Sequence, residues 1–427
     1  MEIKMRSLQG IPLAGKKVLL RPDINSPIDP KTKKITNDDR IVKTVPVIRK
    51  LITGGAAIAI IAHQGDTLDY QNLVALEEHA VRLSELLNTS VEYLDDVCGP
   101  TAIERVKTLQ PGEIVILGNL RYLTEEVSTF EKDVKLTAEE YTTTWVVRKL
   151  APLFDLYVNE AFSAAHRNSP SMVAFQELLP AAAGPLLFSE YEALTNVLHG
   201  AEKPAVFVLG GAKISDAFGM MKTVLQNGTA DKILTSGVTG LVMLLASGID
   251  VGEKTVQFLK DRDLLGFVEE SKGYLRDYPG KIAMPVDIAY EKDGARVEIG
   301  IQEMPKETLY PDIGRQTIND YAKIIADAKT IFANGPAGVY ENPLFEEGTR
   351  GVWQAIADSD GYSVIGGGDT ISSAHRFIEL SKISYVCTGG GAMIRFLSGK
   401  KLPLIQAMEK AYESNSGIFS DILKNAN

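Results

Sequence analysis

Two sets of residues in this chain could do chemistry, and they differ in kind. In the first half, Arg21-Pro22-Asp23-Ile24-Asn25, His63-Gln64-Gly65, Asn119-Leu120-Arg121 and Asn159-Glu160-Ala161-Phe162 with His166-Arg167 offer basic and hydrogen-bonding side chains. In the second half, Gly210-Gly211-Ala212-Lys213, Asn334-Gly335-Pro336, Gly366-Gly367-Gly368-Asp369-Thr370 and Gly389-Gly390-Gly391 offer glycine turns. Arginine forks bind carboxylate and phosphate oxygens two at a time, so Arg21, Arg121 and Arg167 suit a small, doubly anionic ligand. Glycine turns let backbone N–H groups approach closely and lead into helix N-termini that favour negative charge, which suits nucleotide phosphates. Asp369, beside such a turn, is the candidate Mg2+ ligand. A small anion on one lobe and a nucleotide on the other implies phosphoryl transfer with lobe closure.

These residues follow short Val- and Ile-rich runs that alternate with helical patterns, as expected of a parallel α/β protein. The runs are 18–20, 57–62, 114–117 and 156–158 in the first half, then 206–209, 233–234, 282–288, 330–333, 362–365 and 385–387. Ligands of open α/β sheets bind beyond the carboxyl ends of strands, where these residues stand. Any one glycine turn often does no more than join a strand to a helix, and any one arginine is often a surface charge. Recurrence at one sheet edge, with a consistent split in chemistry, carries the reading. The chain has no GxxxxGK[ST] sequence and lacks the HRD and DFG elements of protein kinases.

Composition narrows the class further. The 427 residues suffice for two or three domains, and 45% are apolar against 23% charged, which excludes a mostly disordered chain. A net charge of −10 makes nucleic acid and anionic membrane surfaces poor partners. Two cysteines allow no disulfide framework, and the five histidines show no compact metal-ligand spacing. The longest apolar stretch, 56–62, is too short to span a bilayer, so a cytoplasmic protein is expected.

The ordered segments LRPDINSP (20–27), NDDRI (37–41), AHQG (62–65), NLRY (119–122), NEAFSAAHR (159–167), LGGAKISD (209–216), NGPAGVYENPLFEEGT (334–349), GGGDT (366–370) and TGGGA (388–392) resemble the phosphoglycerate kinase family. NGTADKILTSG (227–237) resembles its archaeal-type branch. The resemblance implies two Rossmann-like lobes with mainly parallel sheets, joined by a long interdomain helix. The expected division is 1–183 for the 3-phosphoglycerate lobe, 184–200 for the joining helix, 201–404 for the nucleotide lobe, and 405–427 for a segment returning to the first lobe. Leu187, Tyr191, Leu194 and Leu198 make one apolar face of that helix. It also implies reversible transfer between MgATP and the 3-phosphoglycerate carboxylate in glycolysis and gluconeogenesis, with ATP/ADP as co-substrate, and a monomer, with a homodimer as the alternative.

Residue by residue, the resemblance gives Asp23 and Asn25 the hydroxyl and carboxyl end of the glycerate. Arg21 beside them is either a further contact or a structural ion-pair partner. Arg40 meets the transferring phosphoryl group, while His63, Arg121 and Arg167 anchor substrate. Lys213 steadies the migrating oxygens with help from the turn at Gly390. Gly211, Gly237, Gly367 and Gly368 border the nucleotide, Asn334 its phosphates and Glu341 its ribose, and Asp369 with Thr370 forms the metal and phosphate position.

Four positions depart from the family pattern. After His63 the chain runs Gln64-Gly65-Asp66-Thr67, so an acid replaces an anion-binding arginine, and Asp66 would repel a substrate phosphate unless 68–73 re-routes the loop or another cation compensates. Gly118 replaces an acid, Ser169 a histidine and Ala217 a second lysine; Lys222 is two helical turns beyond Lys213 and cannot substitute without rearrangement. Asp66 keeps open a kinase for a different small carboxylate. A nucleotide-binding regulatory protein without catalysis is the other alternative, weakened by the retention of Arg40, Lys213 and Asp369. Trp145 and Trp353 read as packing groups, and Cys387 as buried and inert.

Overall fold

A computed structural model describes residues 3–65 and 73–414. Asp66 therefore lies outside the described residues. The chain divides into two compact units. The first holds the chain up to Glu192 together with the segment from Lys401 on, and the second holds Ala193–Lys400.

In the first unit, strands β1 (Lys17–Arg21), β2 (Ala57–Ile60), β3 (Val91–Tyr93), β4 (Ile114–Ile116), β5 (Leu156–Asn159) and β6 (Ala181–Ala183) form a sheet in the order β3-β4-β2-β1-β5-β6. Every pairing in it is parallel. Central strands of such a sheet are covered on both faces, which is why Val18-Leu19-Leu20 and Ala57–Ile60 read as unbroken apolar runs. Helix Asp39–Thr53 turns Ile41, Thr44, Val47, Ile48 and Leu51 inward at three- and four-residue spacing, and its apolar residues join the core of β1 and β2. Helix Pro403–Ser414 also belongs to this unit: Leu404 N donates to Ala165 O, and Lys410 pairs with Glu177.

The second unit carries β7 (Ala205–Leu209), β8 (Lys232–Thr235), β9 (Ile282–Ala283), β10 (Asp287–Lys292), β11 (Ala295–Gly300), β12 (Asp312–Ile313), β13 (Thr330–Asn334), β14 (Tyr362–Gly366) and β15 (Tyr385–Cys387). Its parallel sheet has the order β15-β14-β13-β7-β8-β9, and β11-β10-β12 forms a separate antiparallel sheet. The run expected as one strand over 282–288 is two strands in different sheets, broken where Pro285 removes a ladder donor.

Helix Pro185–His199 spans the division between the units, and Leu187, Tyr191, Leu194 and Leu198 are all buried. Its first turn is capped from the residue after β5: the buried Glu160 carboxyl group accepts from Leu186 N at 3.0 Å and Leu187 N at 3.1 Å. A side chain at Gly184 would collide with that carboxyl group. Among the described residues, no helix is long and apolar enough to cross a membrane.

Candidate active site

The strand orders fix where ligands can sit. In the first sheet the chain moves outward from β1 through β2 to β3, returns by β4, and crosses to β5 on the far side of β1. In the second it moves outward from β7 to β9 and crosses to β13. Each crossing opens a crevice at the carboxyl edge, between residues after β1 and β5 in one unit and after β7 and β13 in the other.

At the first crevice Asp23 accepts from Arg40 Nη1 at 2.7 Å and from the Ser163 hydroxyl. The Asp23 side chain is 8% exposed and the Arg40 side chain 46%. Asn25 Oδ1 accepts from Gly65 N at 3.0 Å, which ties the turn after β1 to the loop after β2. His63 is buried, and Arg21 Nη2 lies 3.1 Å from its Nδ1. A guanidinium can only donate, so Nδ1 accepts and the ring proton is on Nε2. Burial first, and then the charges of Arg21, Arg121, Arg167 and Arg40, hold His63 well below the usual histidine range. The ring is a neutral donor surrounded by cations.

Arg21 is thus a positioning residue and forms no ion pair among the described residues. Its Nε donates to Ser171 Oγ and its Nη1 to Pro22 O. Ser171 in turn donates to the buried Glu126 carboxylate from both N and Oγ, and the Glu126 backbone oxygen accepts from Arg121. Asn119 Oδ1 accepts from Gln64 N and Arg121 N, bracing the His63 loop against the Arg121 turn. Arg167 Nε pairs with Glu131 at 2.8 Å, while its Nη2 is buried without a hydrogen-bond partner among the described residues. That leaves a donor suited to an oxyanion.

At the second crevice a cavity of about 1100 Å³ is walled by Gly210–Lys213, Asn334–Pro336, Gly367–Thr370 and Gly390–Gly391. The turns lock together through their backbones. Gly210 N donates to Asn334 O, Gly211 N to Pro336 O, and Gly335 N to Thr370 Oγ1 at 2.8 Å. Gly335, at φ +87°, passes so close to Gly210 that no side chain fits. Asn334 Nδ2 donates to Gly366 O at 2.6 Å, so this side chain joins the β13 turn to the β14 turn. Lys213 and Asp216 open helix Ile214–Gln226, and Asp369 lies in the first turn of helix Gly368–Phe377. Burial pushes the Asp216 carboxyl up against the pull of Lys213.

Gly237 and Glu341 do not line this cavity. Gly237, at φ +54°, stands behind the Gly211 turn, where a Cβ would lie 2.9 Å from Gly211 N. Glu341 is exposed on the loop that follows Gly338.

A family model described as phosphoglycerate kinase matches residues 8–400. The chain belongs to the phosphoglycerate kinase family. It is 41% identical over 408 residues to the phosphoglycerate kinase of Methanobacterium bryantii, covering 96% of this chain and 98% of that protein. To the phosphoglycerate kinase of Pyrococcus furiosus it is 42% identical over 407 residues, with coverage of 94% and 97%. The crystal structure of phosphoglycerate kinase from Pyrococcus horikoshii matches with a TM-score of 0.82 at 40% identity, over 96% of this chain and 100% of that one. The Coxiella burnetii phosphoglycerate kinase structure matches with a TM-score of 0.81 at 31% identity, over 95% and 99%.

Against the phosphoglycerate kinase pattern, the three departures among the described residues, Gly118, Ser169 and Ala217, sit where side chains are constrained by packing. A Cβ at Gly118 would lie 3.2 Å from the Asp96 backbone, and Ala217 is fully buried on the inner face of its helix. Ser169 is buried ahead of the short helix Pro170–Val173. The residues that sequence reasoning missed are Ser163, Glu126 and Ser171. Ser163 lies within the NEAFSAAHR segment, so its place after a strand was a signal; Glu126 and Ser171 carried none.

Proposed function

We propose that the chain transfers the γ-phosphoryl group of ATP reversibly to the carboxylate of 3-phosphoglycerate, giving ADP and 1,3-bisphosphoglycerate. The observation that carries this reading is the split in chemistry between the two crevices: four arginines act on a neutral His63 at one, and glycine turns with Lys213 and Asp369 wall the other. In the first unit Asp23 and Asn25 take the hydroxyl and carboxyl end of the glycerate. His63, through Nε2–H, takes the anion together with Arg121 and Arg167. In the second unit Gly211, Asn334, Gly367, Gly368 and Thr370 take the nucleotide phosphates, and Lys213 takes the oxygens of the γ-phosphoryl group that migrates. Gly237 backs the Gly211 turn beside the nucleoside, and Glu341 takes the ribose.

A carboxylate is already ionised at neutral pH, so the attacking oxygen needs no protein base. It forms a bond to the γ-phosphorus as the bond to the bridging oxygen breaks, and ADP leaves with that electron pair. No proton moves. What the protein must supply is alignment and positive charge around the three equatorial oxygens. Arg40 and Lys213 supply the charge, and the turn at Gly390 supplies backbone donors.

The donor set also fits Mg2+. Asp369 is an exposed carboxylate on the cavity wall, and among the described residues no group of three or more His, Cys, Asp or Glu could hold a metal unaided. Mg2+ commonly binds through one or two carboxylates together with substrate phosphates. Bound there with the nucleotide, it would neutralise charge on the β- and γ-phosphates. The proposal includes a cytoplasmic setting, which suits two buried cysteines that form no disulfide, and a monomer, which size-exclusion chromatography checks.

The test is a coupled assay with MgATP and 3-phosphoglycerate, following acyl phosphate through an NADH-consuming dehydrogenase. Turnover lost in Lys213→Ala and in Arg40→Ala is the expected result. No turnover from protein that still binds MgATP would overturn the reading.

A further inference from the structure

The cavity that holds Lys213 at one end has a second cationic end for which the reaction has no use. Lys222, Arg395 and Lys400 line it there, with Thr223, Asn227 and Ser398 as neutral hydrogen-bonding groups. Lys222 follows Lys213 by nine residues, which at 1.5 Å per residue sets them about 13 Å apart along the helix. The opposing wall is fixed by close backbone approach. A Cβ at Gly219 would lie 2.7 Å from Ser398 Oγ, and one at Gly399, at φ +72°, would lie 3.3 Å from Thr223 Oγ1. Lys400 N donates to Arg395 O at 2.9 Å, which folds the chain back so that both cations edge one cavity.

The charges at the two ends are arranged differently. Both carboxylates in the lining, Asp216 and Asp369, stand at the glycine-turn end, where Asp369 pairs with Lys213. Lys222, Arg395 and Lys400 have no ion pair among the described residues, in a chain whose net charge is −10. Cations near helix C-termini can serve only to offset the last carbonyls. Three of them sharing one concave wall repel one another, and a bound oxyanion would relieve that repulsion.

We propose that this far end is a second oxyanion subsite, separate from the nucleotide-phosphate cradle, that takes a divalent group of the phosphate class. A separation of about 13 Å exceeds the Debye length of about 8 Å at physiological ionic strength, so both anions can be held at once.

Calorimetry with inorganic phosphate, and separately with methyl phosphate, tests this at fixed ionic strength. The enzyme is first saturated with MgADP and 3-phosphoglycerate to fill both crevices. The expected result is one further site for at least one probe, weakened about tenfold or more in Lys222→Ala/Arg395→Ala and unchanged in Lys213→Ala. Binding of methyl phosphate would identify a phosphomonoester as the natural ligand class, and binding of inorganic phosphate alone a free anion. An unchanged MgADP affinity in the double variant shows that it is folded. The proposal fails if neither probe binds the saturated enzyme, or if binding follows Lys213 rather than Lys222 and Arg395.

Discussion

Lys213 Nζ stands 3.4 Å from Asp369 Oδ2, with both side chains more than two-thirds exposed. Such a pair contributes only about 0–1 kcal/mol, so an arriving metal–nucleotide separates it at little cost. Under the proposed mechanism that would release the lysine toward the migrating phosphoryl group. Lys213→Ala should lower kcat by roughly 10²–10³, as loss of one preorganised charge-stabilising donor does. Its affinity for MgADP, which lacks the migrating group, should stay within about threefold, a change of well under 1 kcal/mol. Titration calorimetry beside steady-state kinetics separates the two effects. An equal loss in both would assign the lysine to ground-state nucleotide binding.

Arg40 and Asp23 form a pair of the opposite character, because the Asp23 carboxylate is buried and also accepts from Ser163. Removing Arg40 strands that carboxylate, whereas removing both partners does not. A double-mutant cycle of Asp23→Asn and Arg40→Ala should give a coupling of about 1–3 kcal/mol in folding stability. In kinetics, Arg40→Lys should fail to restore more than about a tenth of kcat, since an ammonium cannot grip Asp23 and a phosphoryl oxygen with one planar fork. Full activity in the lysine variant would show that charge alone suffices.

His63 should not titrate near the ordinary histidine value of 6.5. Its folded pKa is depressed by burial and by the neighbouring arginines, so the stability it contributes is present above the unfolded value of 6.5 and is lost as pH falls toward the folded value. Nitrogen-15 NMR at pH 6 should show one neutral tautomer, with the proton on Nε2. A spectrum with both ring nitrogens protonated would contradict the Arg21 contact.

What the chain reveals before folding depends on whether a residue's role is local. Runs such as Val18–Leu20 and Thr330–Ala333 are legible because a strand covered on both faces needs only apolar residues. Strands β3 and β6 are not, being three residues each, one with the exposed Glu92 at its centre and the other all alanine. Trp145 reads as a packing group from its helical spacing, yet it is half exposed with Lys149 Nζ 4.4 Å over its ring; Trp353 is buried and donates to Ser373. At the site, residues that follow strands are legible because topology sends them to one edge. Glu126 and Ser171 are not, since their work is to hold Arg21 and Arg121, which only the folded chain brings to them.

Glu160 gives the clearest pH signature. Burial pushes its carboxyl up to about 8, against the opposing pull of the Leu186 and Leu187 N–H groups and of Lys50. The unfolded chain loses that proton near the ordinary value of 4.5. Between those two values the folded chain holds a proton the unfolded chain has released, so this component of stability falls as pH rises and levels off above about 8. Glu160→Gln keeps an oxygen acceptor for the first turn of helix Pro185–His199 but has no proton to lose. Its Tm should therefore gain on the wild type steadily from pH 5 to pH 8.5. Glu160→Ala removes the cap altogether, at a cost of about 0.5–2 kcal/mol over the same range. A Gln variant whose Tm offset stays constant with pH would mean that the carboxyl ionises normally, and that the helix opens on a full negative charge its N-terminus stabilises.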